Sequence, residues 1–417
     1  MANAIIRSIK AREIIDSRGN PTVEVDCVTD DGVFTDSVPS GASAGAKEAK
    51  ELRDGGKRYG GKGVLAAIKN VNEVISQAIV GEDASDQAAI DNFLIVLDGT
   101  PDKSKLGANA ILAVSMAACR AGAANLKIPL YEHIGSLSGR KDFFMPRPCF
   151  NIINGGAHAE NGLDFQEFMI VPQKESFAEN VQAGSETYYQ LKKLIKQSYS
   201  PAAANVGDEG GFAPPMDAPE IALGLITKAI QRSGYYDKIG IIIDAAASQF
   251  YNQTDAGSYY KTMMGIFEDG EFLNYYDELV NQYPIIGLED PFAEEDWESF
   301  ASINKKYGNR IMIIGDDLLA SNSRYIEKAK TKEACNAALL KLNQIGTVTE
   351  LIKSAKLAQS YGWKTIISHR SGETTDDFIA DLAVGIGADF IKAGAPARGE
   401  RTVKYNRLLK IEENLIK

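Results

Sequence analysis

Three acidic residues in the C-terminal part of this 417-residue chain each end a short apolar run. Asp244 ends KIGIIID, Glu289 ends YPIIGLE and Asp316 ends RIMIIGD. Three carboxylate ligands without His or Cys suit a hard divalent cation that keeps some of its waters, so Mg²⁺ is favoured over Zn²⁺. A single acid at a strand end can also cap the next helix or face solvent. Three acids in consecutive strand–helix units indicate a metal site.

A lysine interrupts another apolar run. Lys341 lies inside ALLKLN, which otherwise has the pattern of a buried strand. Desolvation or nearby cations lower the pKa of a buried lysine, and the amine can then act as a general base. A structural ion pair is the alternative interpretation. Lys392, in DFIKAGAP, has the same pattern and the same two interpretations.

The segment SHRSGE places a base, a fixed positive charge and a hydroxyl in consecutive positions at His369, Arg370 and Ser371. A predicted strand precedes them, and a predicted helix containing Phe378 follows them. A helix N-terminus beside a guanidinium and a hydroxyl is a good phosphate site. We therefore expect a phosphorylated small molecule, held beside the metal and facing Lys341.

A glycine-rich segment, NVGDEGGFAP, carries two further acids, Asp208 and Glu209. Glycine permits unusual backbone dihedrals and a close approach of the backbone, so this loop can hold an acid near a ligand. A plain turn is the alternative interpretation of the same residues.

These residues need a framework that brings strand ends together. Over residues 141–417, apolar runs alternate with helical segments such as TVTELIKSAKLAQSYG, which predicts buried parallel strands covered by helices. About eight strands in roughly 250 residues fit a closed barrel, whose active site lies at the C-terminal ends of its strands. Residues 1–140 mix strand and helix patterns. We expect an α/β fold with a (β/α)8-type, TIM-like barrel over 141–417 and a smaller α+β domain over 1–140.

The composition argues against several classes of protein. Asp and Glu total 56 against 45 Lys and Arg, a net charge of −11, which argues against binding nucleic acid or an anionic membrane. No apolar run reaches the roughly 18 residues of a membrane helix, so no membrane span is expected. The N-terminus lacks the apolar core of a secretory signal, and the four cysteines form no CxxC pair. A cytoplasmic protein with reduced thiols is the simplest interpretation.

Longer motifs occur from one end of the chain to the other. They are AREIIDSRGNPTVEV, VPSGASAG, LDGTPDKSKLGANAILAVS, NIINGGAHAENGLDFQEFMIVP, GDEGGFAP, EDPFAEEDW, LLKLNQIGTVTE with SHRSGETTDDFIADLAVG, and KYNRLLKIEE. Together they resemble the enolase family, of the bacterial type. The resemblance implies reversible dehydration of 2-phosphoglycerate to phosphoenolpyruvate with two Mg²⁺ per active site. It also implies a variant barrel strand order and a homodimer or homo-octamer.

Position by position, the resemblance implies catalytic roles for five residues. Lys341 matches the base that removes the proton next to the substrate carboxylate. Glu209 matches the acid that helps the hydroxyl leave, and Glu167 assists it. His158 and His369 match catalytic or supporting positions beside them.

The resemblance also implies metal and substrate contacts. Asp244, Glu289 and Asp316 match the ligands of the first Mg²⁺. Ser40, in the loop SGASAG, matches a residue of the second, substrate-linked metal site. The substrate-binding positions are Gln166, Lys341, Arg370, Ser371 and Lys392, of which the Arg and Ser match the phosphate contacts.

Four positions depart from the family pattern. Ala44, Gln249, Ala393 and Gly399 stand where Thr, Glu, Thr and Ser are usual. None of them matches a residue with direct chemistry, so we expect near-normal activity. Ala44 bears on how its loop closes.

Two other functions stay open. Another superfamily member, a racemase or acid-sugar dehydratase, would share the metal acids but not the SHRSGE segment paired with GDEGG. A cell-surface or secreted pool that binds plasminogen through a C-terminal lysine such as Lys417 would be an addition to catalysis. An inactive relative would be expected to lack Lys341, Glu209 or a metal acid, and all of them are present.

Overall fold

The computed structural model describes residues 4–41, 45, 47–254, 257–268 and 270–416. Ala44 and Lys417, on which two of the expectations fall, lie outside this part of the chain. Within the described part, no single helix is long and apolar enough to span a membrane, although the bent pair Ala108–Leu126 and Leu130–Ser138 together passes that test of length and hydropathy.

The N-terminal part is built on a three-stranded antiparallel sheet in the order β1–β2–β3. Its strands are β1 (Ser8–Ile15), β2 (Pro21–Thr29) and β3 (Gly32–Ser37). Alternation along β2 buries Val23, Val25 and Cys27 on one face, and a helix, α4 (Ala108–Leu126), packs against β2 and β3. The helices of this part are α1 (Leu65–Lys69), which continues through a π-helical turn (Asn70–Ile75) into α2 (Ser76–Ile79), then α3 (Gln87–Asp98), α4 (Ala108–Leu126) and α5 (Leu130–Ser138).

Eight strands close into a barrel in the C-terminal part. The barrel strands are β4 (Arg147–Asn154), β5 (Glu167–Pro172), β6 (Ile239–Asp244), β10 (Ile285–Glu289), β11 (Met312–Gly315), β12 (Ala337–Leu340), β13 (Lys364–Ser368) and β14 (Phe390–Lys392). Between β6 and β10 the chain forms a separate small sheet of β7 (Tyr251–Thr254), β8 (Gly257–Thr262) and β9 (Gly265–Phe267). Around the barrel the order is β10–β11–β12–β13–β14–β4–β5–β6. Strand β5 runs antiparallel to β4 and β6, whereas the other neighbours are parallel. The α/β barrel with a variant strand order is confirmed.

Helices follow the barrel strands along the chain, and an apolar cluster fills the barrel interior. Met169, Ile242, Ile314, Leu339 and Ile366 come from five different strands and pack into one buried cluster. Apolar side chains, most of them branched as here, typically fill such barrels in layers. The helices are α6 (Phe177–Ser198), α7 (Pro219–Ser233), α8 (Glu271–Gln282), α9 (Trp297–Tyr307), α10 (Ser323–Lys332), α11 (Leu342–Ile345), α12 (Val348–Ser360), α13 (Phe378–Gly385) and α14 (Gly399–Leu415).

The expected helix N-terminus directly after Ser371 is wrong. Helix α13 begins only at Phe378, and the intervening loop pairs with the N-terminal part of the chain. Ser40 and Gly372 form an antiparallel bridge, with backbone hydrogen bonds of 2.8 and 2.9 Å. This contact holds the chain extended past Ser371, and helix α13 starts beyond it. A phosphate beside Arg370 would therefore not be bound by the N-terminus of this helix.

Candidate active site

The C-terminal ends of the barrel strands bring the predicted residues together. Asp244 and Glu289 end the neighbouring strands β6 and β10 and are paired in register. Lys392 ends β14, while Asp316 and Lys341 directly follow the last residues of β11 and β12. All five side chains therefore start from the same end of the barrel, where active sites of this architecture lie.

Lys392 lies among three of the predicted carboxylates. Its Nζ is 2.9 Å from Glu167 Oε2, 3.2 Å from Asp244 Oδ2 and 2.9 Å from Glu289 Oε1. Burial alone would lower the pKa of Lys392, but Glu167 and Glu289 outweigh it and raise that pKa well above its ordinary value. The ammonium is therefore a fixed positive charge in the centre of the site.

Lys341 forms a buried ion pair with Asp316. Burial alone would lower the pKa of Lys341, but the charge of Asp316 outweighs it and raises the pKa above its ordinary value. The expectation of a lowered Lys341 pKa is wrong for this arrangement, because the carboxylate at the end of the adjacent strand stabilises the ammonium. Gln344 Nε2 donates a 2.9 Å hydrogen bond to the other oxygen of Asp316 and holds this acid in place.

Glu167 and Glu209 form a buried carboxyl pair beside His158. The His158 Nδ1 lies 3.5 Å from Oε1 of each glutamate. Burial, and then the charge of Glu209, raise the pKa of Glu167 well above its ordinary value. Burial acts the same way on Glu209, but His158 and His369 outweigh it and hold the pKa of Glu209 well below its ordinary value. When the pKa values of two neighbouring carboxyls are shifted in opposite directions, the two groups are typically an acid–base pair.

Arg401 is a buried residue of the site that the sequence did not reveal. It lies on α14, and its guanidinium donates to the backbone oxygens of Arg370 at 2.7 Å and Asp208 at 3.1 Å, and to that of Ser371. It thereby joins the SHRSGE and GDEGG loops. Its only sequence signal was an arginine at the start of a charged helix, which usually means a solvent-exposed side chain.

Arg370 is held by a residue from the N-terminal part of the chain. Its Nη1 and Nη2 donate to Glu48 Oε2 and Oε1 at 3.0 and 3.2 Å, and Nη1 also donates to Asn343 Oδ1 at 3.0 Å. Glu48 was not predicted, because nothing in AKEAKE marks one glutamate among several charged residues. Ser40 lies close to this pair, and its Oγ donates to Glu51 Oε2 at 3.0 Å.

Gln166 contacts both a predicted metal ligand and a position that departs from the family pattern. Its Nε2 donates to Asp244 Oδ2 at 3.3 Å, and its Oε1 accepts a 2.6 Å hydrogen bond from Gln249 Nε2. Gln249 therefore determines how the Gln166 amide is oriented. The expectation that position 249 has no direct chemistry is compatible with this indirect role.

A cavity of about 30 Å³ is lined by most of the predicted residues, together with Asp317 and Ser368, which were not predicted. Burial and the charge of Asp316 raise the pKa of Asp317 to about 7. The second acid of GDDL was the available signal for Asp317. Four predicted residues lie outside the lining, namely Asp244, Glu289, Gln166 and Ser40. Those that line the cavity are His158, Glu167, Glu209, Asp316, Lys341, His369, Arg370, Ser371 and Lys392.

The chemistry of the acids fits a hard divalent cation. Asp244, Glu289 and Asp316 are buried and offer only oxygen ligands, as Mg²⁺ prefers. The contacts of Asp244 and Glu289 with Lys392, and of Asp316 with Lys341, would have to be exchanged for contacts with the metal. Among the described residues, the groups whose ligand atoms already lie within 4.8 Å of one another are different: His158, Glu167 and Glu209, and Asp290, Asp316 and Asp317.

The fold and the site define an α/β-barrel enzyme with lysines and carboxylates at the C-terminal ends of its strands. A family model described as "Enolase, C-terminal TIM barrel domain" matches residues 142–417, and one described as "Enolase, N-terminal domain" matches residues 6–134. The chain belongs to the enolase family, and its enzyme class is that of a phosphopyruvate hydratase, a lyase. Members of this family use Mg²⁺.

Curated relatives match over nearly the whole chain. "Enolase B" of Dictyostelium discoideum is 53% identical over 99% of this chain and 95% of its own length. "Enolase" of Solanum lycopersicum is 51% identical over 99% and 96%, and "Enolase" of Methanocaldococcus jannaschii is 52% identical over 98% and 95%. These matches do not test the bacterial type, which stays a prediction of the sequence.

Proposed function

We propose that the protein catalyses the reversible dehydration of 2-phosphoglycerate to phosphoenolpyruvate at the C-terminal face of the barrel. The observation that carries the proposal is that Lys341, Glu209 and Arg370 line one buried cavity. A base, an acid and a phosphate-binding cation are the groups that this elimination needs. The racemase and acid-sugar dehydratase alternatives have no use for the phosphate-binding cation.

In the forward reaction, Lys341 removes the proton from the carbon next to the substrate carboxylate. The hydroxyl on the neighbouring carbon leaves with a proton as water, and the carbon–carbon double bond forms. Lys341 must be neutral to accept the proton, so its ion pair with Asp316 has to weaken before the step. When bound, Mg²⁺ would stabilise the negative charge that develops on the substrate carboxylate oxygens.

The proton for the leaving hydroxyl comes from the Glu167–Glu209 pair. The opposite pKa displacements favour one shared proton, held by Glu167 in the resting pair. Glu167 passes this proton to Glu209, which delivers it to the leaving hydroxyl, with His158 and His369 orienting the two carboxyls. This assigns the catalytic role of Glu209 to proton delivery and that of Glu167 to proton storage.

The remaining predicted residues hold the substrate and the metals. Arg370 and Ser371 bind the phosphate, and Gln166 and Lys392 orient the carboxylate end of the substrate. Asp244, Glu289 and Asp316 would hold the first Mg²⁺, and Ser40 would contribute to the second site. The geometry of Ser40 supports this role because its bridge to Gly372 brings it next to the phosphate site.

The first experiment is ultraviolet detection of phosphoenolpyruvate formed from 2-phosphoglycerate, with Mg²⁺ and then with excess chelator. We expect activity that needs Mg²⁺ and that falls at least a thousandfold in Lys341→Ala, the upper part of the range roughly 10² to 10⁴ that one general base contributes. Lys353→Ala, at an exposed position on α12, is the matched control and should leave the rate unchanged. A folded wild-type protein that forms no product with Mg²⁺ would refute the proposal.

We further propose that residues 1–140 and 141–417 form two domains. Helix α5 ends at Ser138 and barrel strand β4 begins at Arg147, which supports a boundary in the segment between them. A homodimer or homo-octamer, a cytoplasmic location and an added surface pool stay predictions of the sequence.

A further inference from the structure

A second cavity, of about 440 Å³, lies at the opposite end of the barrel from the active site. Met312 and Phe390 are the first residues of β11 and β14, and Val171 lies near the end of the antiparallel strand β5. These three residues and Ile286 form apolar walls, so the cavity lies at the N-terminal ends of the parallel strands. Its volume is within the roughly 300–1,000 Å³ of small-molecule sites.

Two glycines contribute no side chain to the lining of this second cavity. Gly308 and Gly362 are both part of its lining. A Cβ atom at Gly362 would meet no atom within 4 Å. The apolar walls therefore stay accessible from outside the barrel.

Three cations surround the apolar walls. Arg147, Arg310 and Lys364 line the cavity, and no carboxylate is among the described residues that do so. Lys364 is neutralised by Asp389, at 2.7 Å. In the part of the chain that the structure describes, no carboxylate forms an ion pair with Arg147 or Arg310.

Both arginines are available to a ligand. Within the described part of the chain, the Arg147 side chain has no hydrogen bond or ion pair. Among the described residues, the Arg310 side chain has only a stacking contact, in which Cζ lies 5.6 Å from the centre of the Tyr307 ring. Two unpaired guanidinium groups at the edge of an apolar cavity stand out in a chain with a net charge of −11.

We propose that this cavity binds a medium-chain aliphatic carboxylate, with its chain against Met312 and Phe390 and its carboxylate on the arginines of the lining, Arg147 and Arg310, which come from opposite sides of the barrel. Apolar walls accept a hydrocarbon chain by removing it from water. An arginine guanidinium matches a carboxylate in charge and in geometry. The site does not depend on the reaction at the other end of the barrel.

Octanoate is the probe, and isothermal titration calorimetry on the full chain is the measurement. We expect saturable binding of octanoate. Acetate should bind more weakly because it lacks the hydrocarbon chain, and 1-octanol should bind more weakly because it lacks the charge. The double variant Arg147→Ala/Arg310→Ala should raise the Kd for octanoate at least tenfold, since roughly 1.4 kcal/mol corresponds to tenfold. Its Kd for 1-octanol should change less than twofold.

Two further variants distinguish binding in this cavity from non-specific binding of octanoate elsewhere on the protein. Arg324→Ala removes an exposed arginine from α10 and should leave octanoate binding unchanged. Met312→Gln alters the wall and should weaken octanoate and 1-octanol alike, with the melting temperature reporting that the variant folds. Turnover of 2-phosphoglycerate should stay at the wild-type rate in the double arginine variant. No saturable binding of octanoate, or equal binding in wild type and the double variant, would overturn the proposal.

Discussion

The Arg401 guanidinium lies 2.7 Å from His369 Nδ1, while His369 Nε2 lies 3.2 Å from Glu209 Oε2. An arginine can only donate, so Nδ1 must be the unprotonated nitrogen and Nε2 must carry the ring hydrogen. Burial lowers the pKa of His369 to about 3, which keeps the ring neutral at physiological pH. Arg401 therefore fixes the tautomer in which His369 carries its ring hydrogen on Nε2, the nitrogen nearer the carboxylate of Glu209.

Replacing Arg401 should change the pH dependence of the reaction. In Arg401→Met, His369 loses the donor at Nδ1 and Glu209 loses a nearby positive charge, which raises the pKa of Glu209. We expect the alkaline limb of kcat/KM to move to higher pH, because Glu209 acts in its protonated form, and kcat to fall at least tenfold. Arg401→Lys should recover part of the pH profile. Arg407→Met, on the same helix but paired with Asp381, is the control, and an equal change in both variants would contradict this role.

Neutralising Glu48 should strengthen phosphate binding. Glu48 now occupies two donors of Arg370, and a phosphate must compete with it for the guanidinium. In Glu48→Gln we expect the inhibition constant of inorganic phosphate to fall roughly threefold, since replacing a charged partner by a neutral one weakens the bond. Glu13→Gln breaks an ion pair with Arg58 in the same part of the chain and should leave the inhibition constant of phosphate unchanged. Weaker phosphate binding in Glu48→Gln would mean that Glu48 positions Arg370 instead.

Mg²⁺ should stabilise the folded chain through Asp316. A cation that binds only the folded state at 100 times its Kd adds about 2.7 kcal/mol. We therefore expect the melting temperature to rise with Mg²⁺ and to fall back with chelator. Asp316→Asn should lose most of this rise. Asp389→Asn, at the other end of the barrel, should keep it, and a rise of the same size in both variants would exclude Asp316 as a ligand.

His133 should make stability decrease below neutral pH. Both of its ring nitrogens are buried without a hydrogen-bond partner among the described residues, and burial lowers its pKa to about 4. The unfolded chain, with a pKa of about 6.5, takes up the proton first, so stability falls as pH drops through the window from 6.5 to 4. Between pH 7 and pH 5 this loss is about 2 kcal/mol.

Urea unfolding at pH 7 and pH 5 measures this effect. The difference in unfolding free energy between the two pH values should be about 2 kcal/mol smaller in His133→Gln than in wild type. Lys141→Gln, at an exposed position after the same helix, should behave as wild type. Equal pH dependence in His133→Gln and wild type would show that His133 is not the responsible group.

The sequence alone determined the barrel and the end at which its chemistry lies. Buried strands must be apolar throughout, so a charged residue at the end of such a run is conspicuous at Asp244, Glu289 and Lys392. The turn residues of GDEGG and the adjacent charges of SHRSGE are also conspicuous, because each set stands together within a few residues of the sequence. Strand period and breakers are short-range properties, and a sequence displays them directly.

The tertiary structure decided which charges meet and what their pKa values become. Asp316 raises the pKa of Lys341 where burial was expected to lower it. Glu48 reaches Arg370, and Arg401 reaches His369, across separations that no local pattern encodes. The bridge between Ser40 and Gly372 likewise lies where the sequence predicted the N-terminus of a helix, and helix α13 begins only after it, at Phe378. Electrostatic interactions depend on distance and burial in space, which only the folded chain determines.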